Sequence, residues 1–318
     1  MEYVLQFRES YDQRPHPYDN EPSVSITQVM IRGVNCYWFT PEDPSPDRIV
    51  IYVHGGGFAA GSFKTHGKMV SHFAKELHAV LLFIDYALAP ENPFPAGLHD
   101  ILTVYRELAD RYPGSHLDLI GDSAGGGLVI SAIGEMLNMH HPEPEQWSSR
   151  PGFPASEQGS SRLGVPASEQ GPSRLGVPAP EQGSSLPGFP LPDAVVLISP
   201  WIDLECDTLA IEENAQSDLI LNKDMLQLFA QAYTGDVPFE VSSPKKASLT
   251  QFPPVLIMVG SNEILLDDSK HFYNDIKRIQ GRARLSIYDD QPHVWLKKDI
   301  HKEASRRALA EIADFIGA

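Results

Sequence analysis

Gly121-Asp122-Ser123-Ala124-Gly125 sets a serine between two glycines where two sequence patterns meet. The apolar run Leu117 to Ile120 precedes it, and a helical pattern follows through Met139. A tight turn from strand to helix forces such a serine into strained backbone angles and lifts its hydroxyl clear of the sheet. Glycines two residues away on either side remove β-carbons that would collide there. The helix start behind it offers free amides to developing negative charge. A second stretch, His54-Gly55-Gly56-Gly57-Phe58, follows the run Arg48 to Val53. Three consecutive glycines leave backbone N–H groups unshielded, which a reaction through a tetrahedral intermediate needs around its oxyanion. The chemistry these two stretches support together is nucleophilic attack on an acyl carbonyl. Gly56, Gly57 and Ala124 are the expected oxyanion donors.

Two more stretches belong with these. One is Asp85-Tyr86-Ala87-Leu88-Ala89-Pro90-Glu91-Asn92-Pro93-Phe94-Pro95-Ala96, and the other is Leu197-Ile198-Ser199-Pro200-Trp201-Ile202-Asp203-Leu204. With His54-Gly55-Gly56-Gly57 and Gly121 to Gly125, they make the chain resemble the hormone-sensitive-lipase branch of the α/β-hydrolases, the bacterial family IV esterases. It departs from that pattern at Ala87, where the family usually carries arginine. The resemblance implies an ester hydrolase with a serine, an acid and a histidine in that chain order.

A serine hydroxyl needs a base, normally a histidine held by a carboxylate. Of the 12 histidines, only His271, His293 and His301 follow the apolar run Val255 to Val259. His271 and His301 fall within helical patterns. His293 sits in a loop, Asp289 to Trp295, just after the run Leu285 to Tyr288, at the position where the family carries its base. The acid lies in Gly260-Ser261-Asn262-Glu263-Ile264-Leu265-Leu266-Asp267-Asp268. The family has an aspartate in the triad where this chain has Glu263. Glutamate can likewise accept the second imidazole N–H and fix the tautomer. Asp267 is the alternative acid, with Glu263 then a helix-start residue placed by the dipole. The two are four apart and are expected to share a helical face.

These residues need a sheet to bring them together. The short apolar runs Arg48 to Val53, Ala79 to Asp85, Leu117 to Ile120, Ala194 to Ile198, Val255 to Val259 and Leu285 to Tyr288 read as strands buried on both faces. Leu98, Ile101, Leu102, Tyr105 and Leu108 fall at helical spacing, as do Leu226, Phe229, Ala230 and Tyr233, and Ala304, Ala308, Ile312 and Phe315. Val24 to Phe39, with Gly33 inside it, reads as an antiparallel hairpin at the sheet edge. The expected architecture is an α/β-hydrolase fold: a mostly parallel central sheet, helices on both faces and a reduced cap. Residues 1–23 form an N-terminal arm and part of the cap, which Leu204 to Gly235 completes. Tyr3, Phe7, Tyr11 and Tyr18 are candidates to line an acyl or alcohol pocket.

The hydrolase domain is expected over residues 24–147 and 191–318. Between its halves, residues 148–190 repeat a twelve-residue unit, SSRPGFPASEQG and its variants. Proline and glycine fill 15 of those 43 positions, which is too few apolar side chains for a solenoid and reads as a disordered insertion. Lengthening a surface loop from roughly 10 to roughly 50 residues costs only about 1.5 kcal/mol.

A formal charge of −17 argues against a nucleic-acid binder and gives no support for adsorption to an anionic membrane. Met1 to Asn20 contains no apolar run of signal-peptide length. Cys36 and Cys206 are too few for a disulfide framework, so the cytoplasm is the simplest location. The expected function is hydrolysis of a small-molecule carboxylic ester, short in the acyl chain, through an acyl-enzyme. No metal or organic cofactor is required. A small-metabolite deacetylase or a lactone hydrolase would use the same groups. A ligand receptor on the same fold is the non-enzymatic alternative. Oligomeric state and natural substrate have no signature in the sequence.

Overall fold

The computed structural model describes residues 2–140 and 190–317. Apart from Pro190, the twelve-residue repeat lies outside the described residues. Helix α1 (Glu2–Asp12) leads into a hairpin of β1 (Val24–Ile31) and β2 (Val34–Pro41). Its turn residues Arg32 and Gly33 both take positive φ, +49° and +87°, as a two-residue turn between twisted strands requires. Strands and helices then alternate: β3 (Arg48–Val53), α2 (Phe63–Glu76), β4 (Val80–Asp85), α3 (Ala96–Arg111), β5 (His116–Asp122) and α4 (Ala124–His140). Beyond residue 190 come β6 (Ala194–Ile198), α5 (Leu209–Glu213), α6 (Lys223–Thr234), α7 (Phe239–Ser242) and β7 (Val255–Gly260). The chain ends with α8 (Leu266–Ile279), β8 (Ala283–Tyr288), α9 (Trp295–Lys298) and α10 (Glu303–Ile316).

The strands form one sheet in the order β1-β2-β4-β3-β5-β6-β7-β8. The hairpin is antiparallel, β2 joins β4 antiparallel, and every pairing from β4 to β8 is parallel. Five of the six apolar runs have their expected reason, because two cores sandwich the sheet; β8, read from the sequence as buried on both faces, is instead an edge strand with Ile287 43% exposed. Ile49, Ile51 and Val53 of β3 pack with Ile101 of α3, Leu128 of α4 and Ile276 of α8. Val50 and Tyr52, facing the other way, pack with Met69 and Phe73 of α2 and Ile312 of α10. Each such side chain contributes about 1.5–3 kcal/mol on burial. His301, read as helical from the sequence, instead sits in the turn before α10 and stacks edge-on against Tyr18 and His72.

Parallel register aligns the carboxyl ends: Gly121 pairs with Leu197, Ile198 with Met258, and Gly260 with Tyr288. Every candidate site residue lies just past one of these ends, the edge where open α/β sheets gather their chemistry. Helix α4 runs back from that edge and β6 starts from the opposite one. The described chain on either side of residues 141–189 is therefore attached away from Ser123. No helix among the described residues is long and apolar enough to cross a membrane.

Candidate active site

Ser123 occupies the single residue between β5 and α4, with φ +52°. A left-handed serine is a strained conformation, and the surroundings fix it. Its N–H donates to Ile198 O at 2.9 Å, and its carbonyl accepts from Trp201 N at 2.9 Å, so the end of β6 and the stretch just after it hold both sides of the turn. A β-carbon on Gly125 would run into the carbonyl oxygen of Val53, which is why the helix closes so tightly against β3.

His293 reaches the serine from the loop after β8. Its Nε2 lies 2.9 Å from Ser123 Oγ, and its Nδ1 lies 2.8 Å from Glu263 Oε2. With the ring proton on Nδ1, the imidazole donates to Glu263 and presents a lone pair to the hydroxyl. Burial by itself would lower the His293 pKa. The Glu263 hydrogen bond and charge outweigh it, and the pKa is raised above the ordinary imidazole value of 6.5. Val294, next in sequence, takes φ +46°, an outlier for a β-branched residue. Its N–H donates to Ser199 Oγ at 3.2 Å.

Glu263 is fully buried in the turn between β7 and α8. Its Oε1 accepts from Ser199 Oγ at 2.7 Å and from the Gly260 N–H at 2.5 Å, leaving Oε2 for the imidazole. Asp267 is placed elsewhere. It stands in the first turn of α8, accepts from the Ala210 N–H at 2.9 Å and pairs with Lys270 at 3.2 Å. Because α8 begins only at Leu266, the expected shared helical face does not exist. Ser199, in a quoted motif but given no role from sequence, is the missed residue here. Its left-handed φ of +48° at a strand end is the structural counterpart of Ser-Pro-Trp.

The triglycine stretch curls over the serine. Among the described residues, no backbone hydrogen bond engages the N–H of Gly56, Gly57 or Ala124. Gly56 has φ +122°, and a β-carbon there would strike the Ala60 carbonyl. Gly56→Ala is therefore expected to displace the loop and lower kcat by about 10²–10³-fold, the effect of losing one oxyanion donor. Steady-state kinetics on an activated ester with circular dichroism as a folding check measures this. His54 has a structural place: it is buried, stacks on Tyr86 with centroids 4.3 Å apart, and sits 2.8 Å from Gly55 O through Nδ1. Burial, with the nearby His66, pushes its pKa down to about 3, so it remains neutral.

Gly56, Gly57, Ser123 and His293 open onto a cavity of about 560 Å³. Helices α1 and α6 form much of its roof. Asn222 caps α6, accepting from the Met225 N–H at 2.9 Å, and Phe7 of α1 meets Phe229 of α6 edge-on at 5.1 Å. Arg8 fastens α1 by donating to Ala59 O and Ala89 O and pairing with Glu91 at 2.8 Å. Phe7 and Tyr11 line the cavity as expected, whereas Tyr3 and Tyr18 do not. Tyr3 is 48% exposed, and Tyr18 is buried in the opposite core with its hydroxyl on Leu296 O.

A family model described as the alpha/beta hydrolase fold matches residues 50–297. The chain belongs to this family. Among curated relatives, an esterase of Acinetobacter venetianus is 26% identical over 308 residues, spanning 96% of this chain and 86% of that protein. An acetyl-hydrolase of Streptomyces hygroscopicus is also 26% identical over 291 residues, covering 91% and 81%. The crystal structure of an esterase from the bacterial hormone-sensitive lipase family superposes with TM-score 0.76 at 28% identity, covering 99% of this chain and 96% of that one. This α/β-hydrolase therefore stands among hormone-sensitive-lipase-type esterases over nearly its whole length, as its motifs imply.

Proposed function

We propose that this α/β-hydrolase is a serine hydrolase of small carboxylic esters, with Ser123 as nucleophile, His293 as general base and acid, and Glu263 as the orienting carboxylate. The observation that carries this reading is the continuous chain from Ser123 Oγ to His293 Nε2 at 2.9 Å and from His293 Nδ1 to Glu263 Oε2 at 2.8 Å. In the proposed reaction, Ser123 Oγ attacks the acyl carbon as its proton passes to His293 Nε2. The carbonyl oxygen becomes an oxyanion facing the N–H groups of Gly56, Gly57 and Ala124. As the intermediate collapses, the C–O bond to the alcohol breaks and His293 returns the proton to the leaving oxygen. Water then attacks the acyl-enzyme by the same route, releasing the acid and restoring the serine.

A cavity near the middle of the small-molecule range favours short acyl chains over triacylglycerol-sized substrates. With p-nitrophenyl esters, kcat/KM is expected to peak between acetate and hexanoate and fall about tenfold or more by dodecanoate. Phenylmethylsulfonyl fluoride is expected to abolish turnover throughout. A maximum at long chains refutes the size assignment, and indifference to the sulfonyl fluoride refutes the serine route. The acetyl-hydrolase relative makes acetyl esters of small metabolites the first compounds to compare. Both cysteines are free and buried, which fits a cytoplasmic protein.

A further inference from the structure

The cavity beside Ser123 has two unlike walls. Phe7, Leu219, Ile220, Leu226 and Phe229 make one side apolar. Arg14 and Lys297 bring positive charge to the lining, and neither forms an ion pair with a carboxylate among the described residues. Lys297 lies in α9, one turn past His293. Its ammonium donates to the Tyr11 hydroxyl and approaches His66 Nε2 at 3.4 Å, and it stands 4.0 Å from the centre of the Tyr11 ring. Arg14 lies over the rings of Phe7 and Tyr11 at 5.5 and 5.4 Å. Aromatic faces and neutral donor–acceptor groups thus hold both cations at the cavity, with no carboxylate paired to either among the described residues.

The surroundings sharpen the point. From α1 the groups facing Lys297 are Tyr11 and Asp12, from the turn after it Arg14, from α2 His66, and from the end of β5 Asp122. Asp122 already accepts from the Tyr52 hydroxyl at 2.8 Å and the Gly55 N–H at 3.0 Å. Burial pushes the Lys297 pKa down to about 7, only partly offset by the Asp122 charge. Asp122 also lines the cavity but lies 3.6 Å from His66 as well, so among the described residues the ammonium has no carboxylate at ion-pair distance, and the cavity has room to admit one.

Building on the ester-hydrolase reading, we propose that Lys297 and Arg14 form an anion subsite, so that the preferred substrate is an ester carrying a carboxylate or comparable anionic group on one of its arms. The apolar wall receives the other arm. The reaction at Ser123 is unchanged, and the subsite sets which ester is held for it. Lys297 and Arg14 are specificity determinants and touch no reacting atom.

Two isosteric pairs of esters test this, with acid release followed by titration at constant pH. Monoethyl adipate against ethyl hexanoate places the charge on the acyl arm, and 4-acetoxybutanoate against butyl acetate places it on the alcohol arm. For one pair, the ratio of kcat/KM, anionic over neutral, is expected to be about tenfold or more, carried by KM. Lys297→Met is expected to bring that ratio to near one, and Lys297→Arg to restore it. Arg14→Met is expected to lower it by a lesser factor, giving a second reading on an exposed residue. A preference for the neutral ester in both pairs overturns the subsite while leaving the esterase reading intact. So does an unchanged ratio in Lys297→Met and Arg14→Met. Hydrolysis of none of the four esters overturns the esterase reading, and the subsite with it.

Discussion

Ser123→Ala is expected to lower kcat on p-nitrophenyl acetate by about 10⁴-fold or more while leaving the thermal midpoint almost unmoved. Among the described residues, the hydroxyl is the only group on this edge of the sheet set 2.9 Å from the candidate base and at the mouth of the unengaged amides. Without it no acyl-enzyme forms, and the route left is direct attack by water positioned by His293. Removing a nucleophile that acts as a unit with its base costs as much as losing the whole set, on the order of 10⁴–10⁶ in kcat. Stability is insulated because alanine keeps the β-carbon, and the strain of φ +52° is met by backbone bonds to Ile198 and Trp201 that do not involve Oγ. Two measurements decide it. Steady-state turnover should collapse, and the burst of p-nitrophenolate expected of the parent on mixing should be absent. A variant retaining a stoichiometric burst, or turning over within about tenfold of the parent, would mean that another group is the nucleophile.

The features legible in the sequence are those set by local chemistry. A run of β-branched residues on both faces has few places to go except a covered parallel strand, so β3 to β7 were readable, as was the hairpin turning at Gly33. The serine turn and the triglycine stretch were readable because their backbone demands fall on particular residue types. Other features depend on where a side chain travels after the backbone is placed. Tyr11 and Tyr18 are each followed by an aspartate in a polar stretch of the arm, yet one meets the cavity and the other crosses to the far core. Lys297 looks like a surface lysine in Trp295-Leu296-Lys297-Lys298, because nothing local reveals that α1 and α2 close over it. Ser199 is similar: its contact with Glu263 joins residues 64 positions apart. The two-carboxylate ambiguity had the same origin, since the one-turn difference between a β7–α8 turn and the helix itself is not encoded in periodicity.

That ambiguity yields the second large effect. Glu263→Gln is expected to lower kcat by about 10³–10⁴-fold, whereas Asp267→Asn should stay within about threefold of the parent. The argument is one of donors. At Glu263 Oε1 the Gly260 N–H arrives at 2.5 Å, so the glutamine must keep its carbonyl oxygen there. Its NH₂ then faces His293 Nδ1, which has to accept and not donate. The ring proton moves to Nε2, pointing at Ser123, and the imidazole is presented in the tautomer that cannot take the serine proton. The Asp267 bonds survive amidation better, because asparagine still accepts from Ala210, and the Lys270 pair is a partly exposed contact of small value. The pH profile provides an independent check. The base must be neutral, so kcat/KM falls as pH drops through the His293 pKa, which Glu263 holds above the ordinary value. Deleting that negative charge leaves burial as the dominant influence, so the acid limb of Glu263→Gln must move to lower pH. Asp267→Asn leaves the limb where it was. A large loss in Asp267→Asn with little in Glu263→Gln would transfer the orienting role to the aspartate, against a geometry in which it faces α5. For the proposed orienting role, Glu263 is placed by the turn at residues 260–263. There Gly260 and Ser199 together pin one carboxylate oxygen and aim the other at the ring.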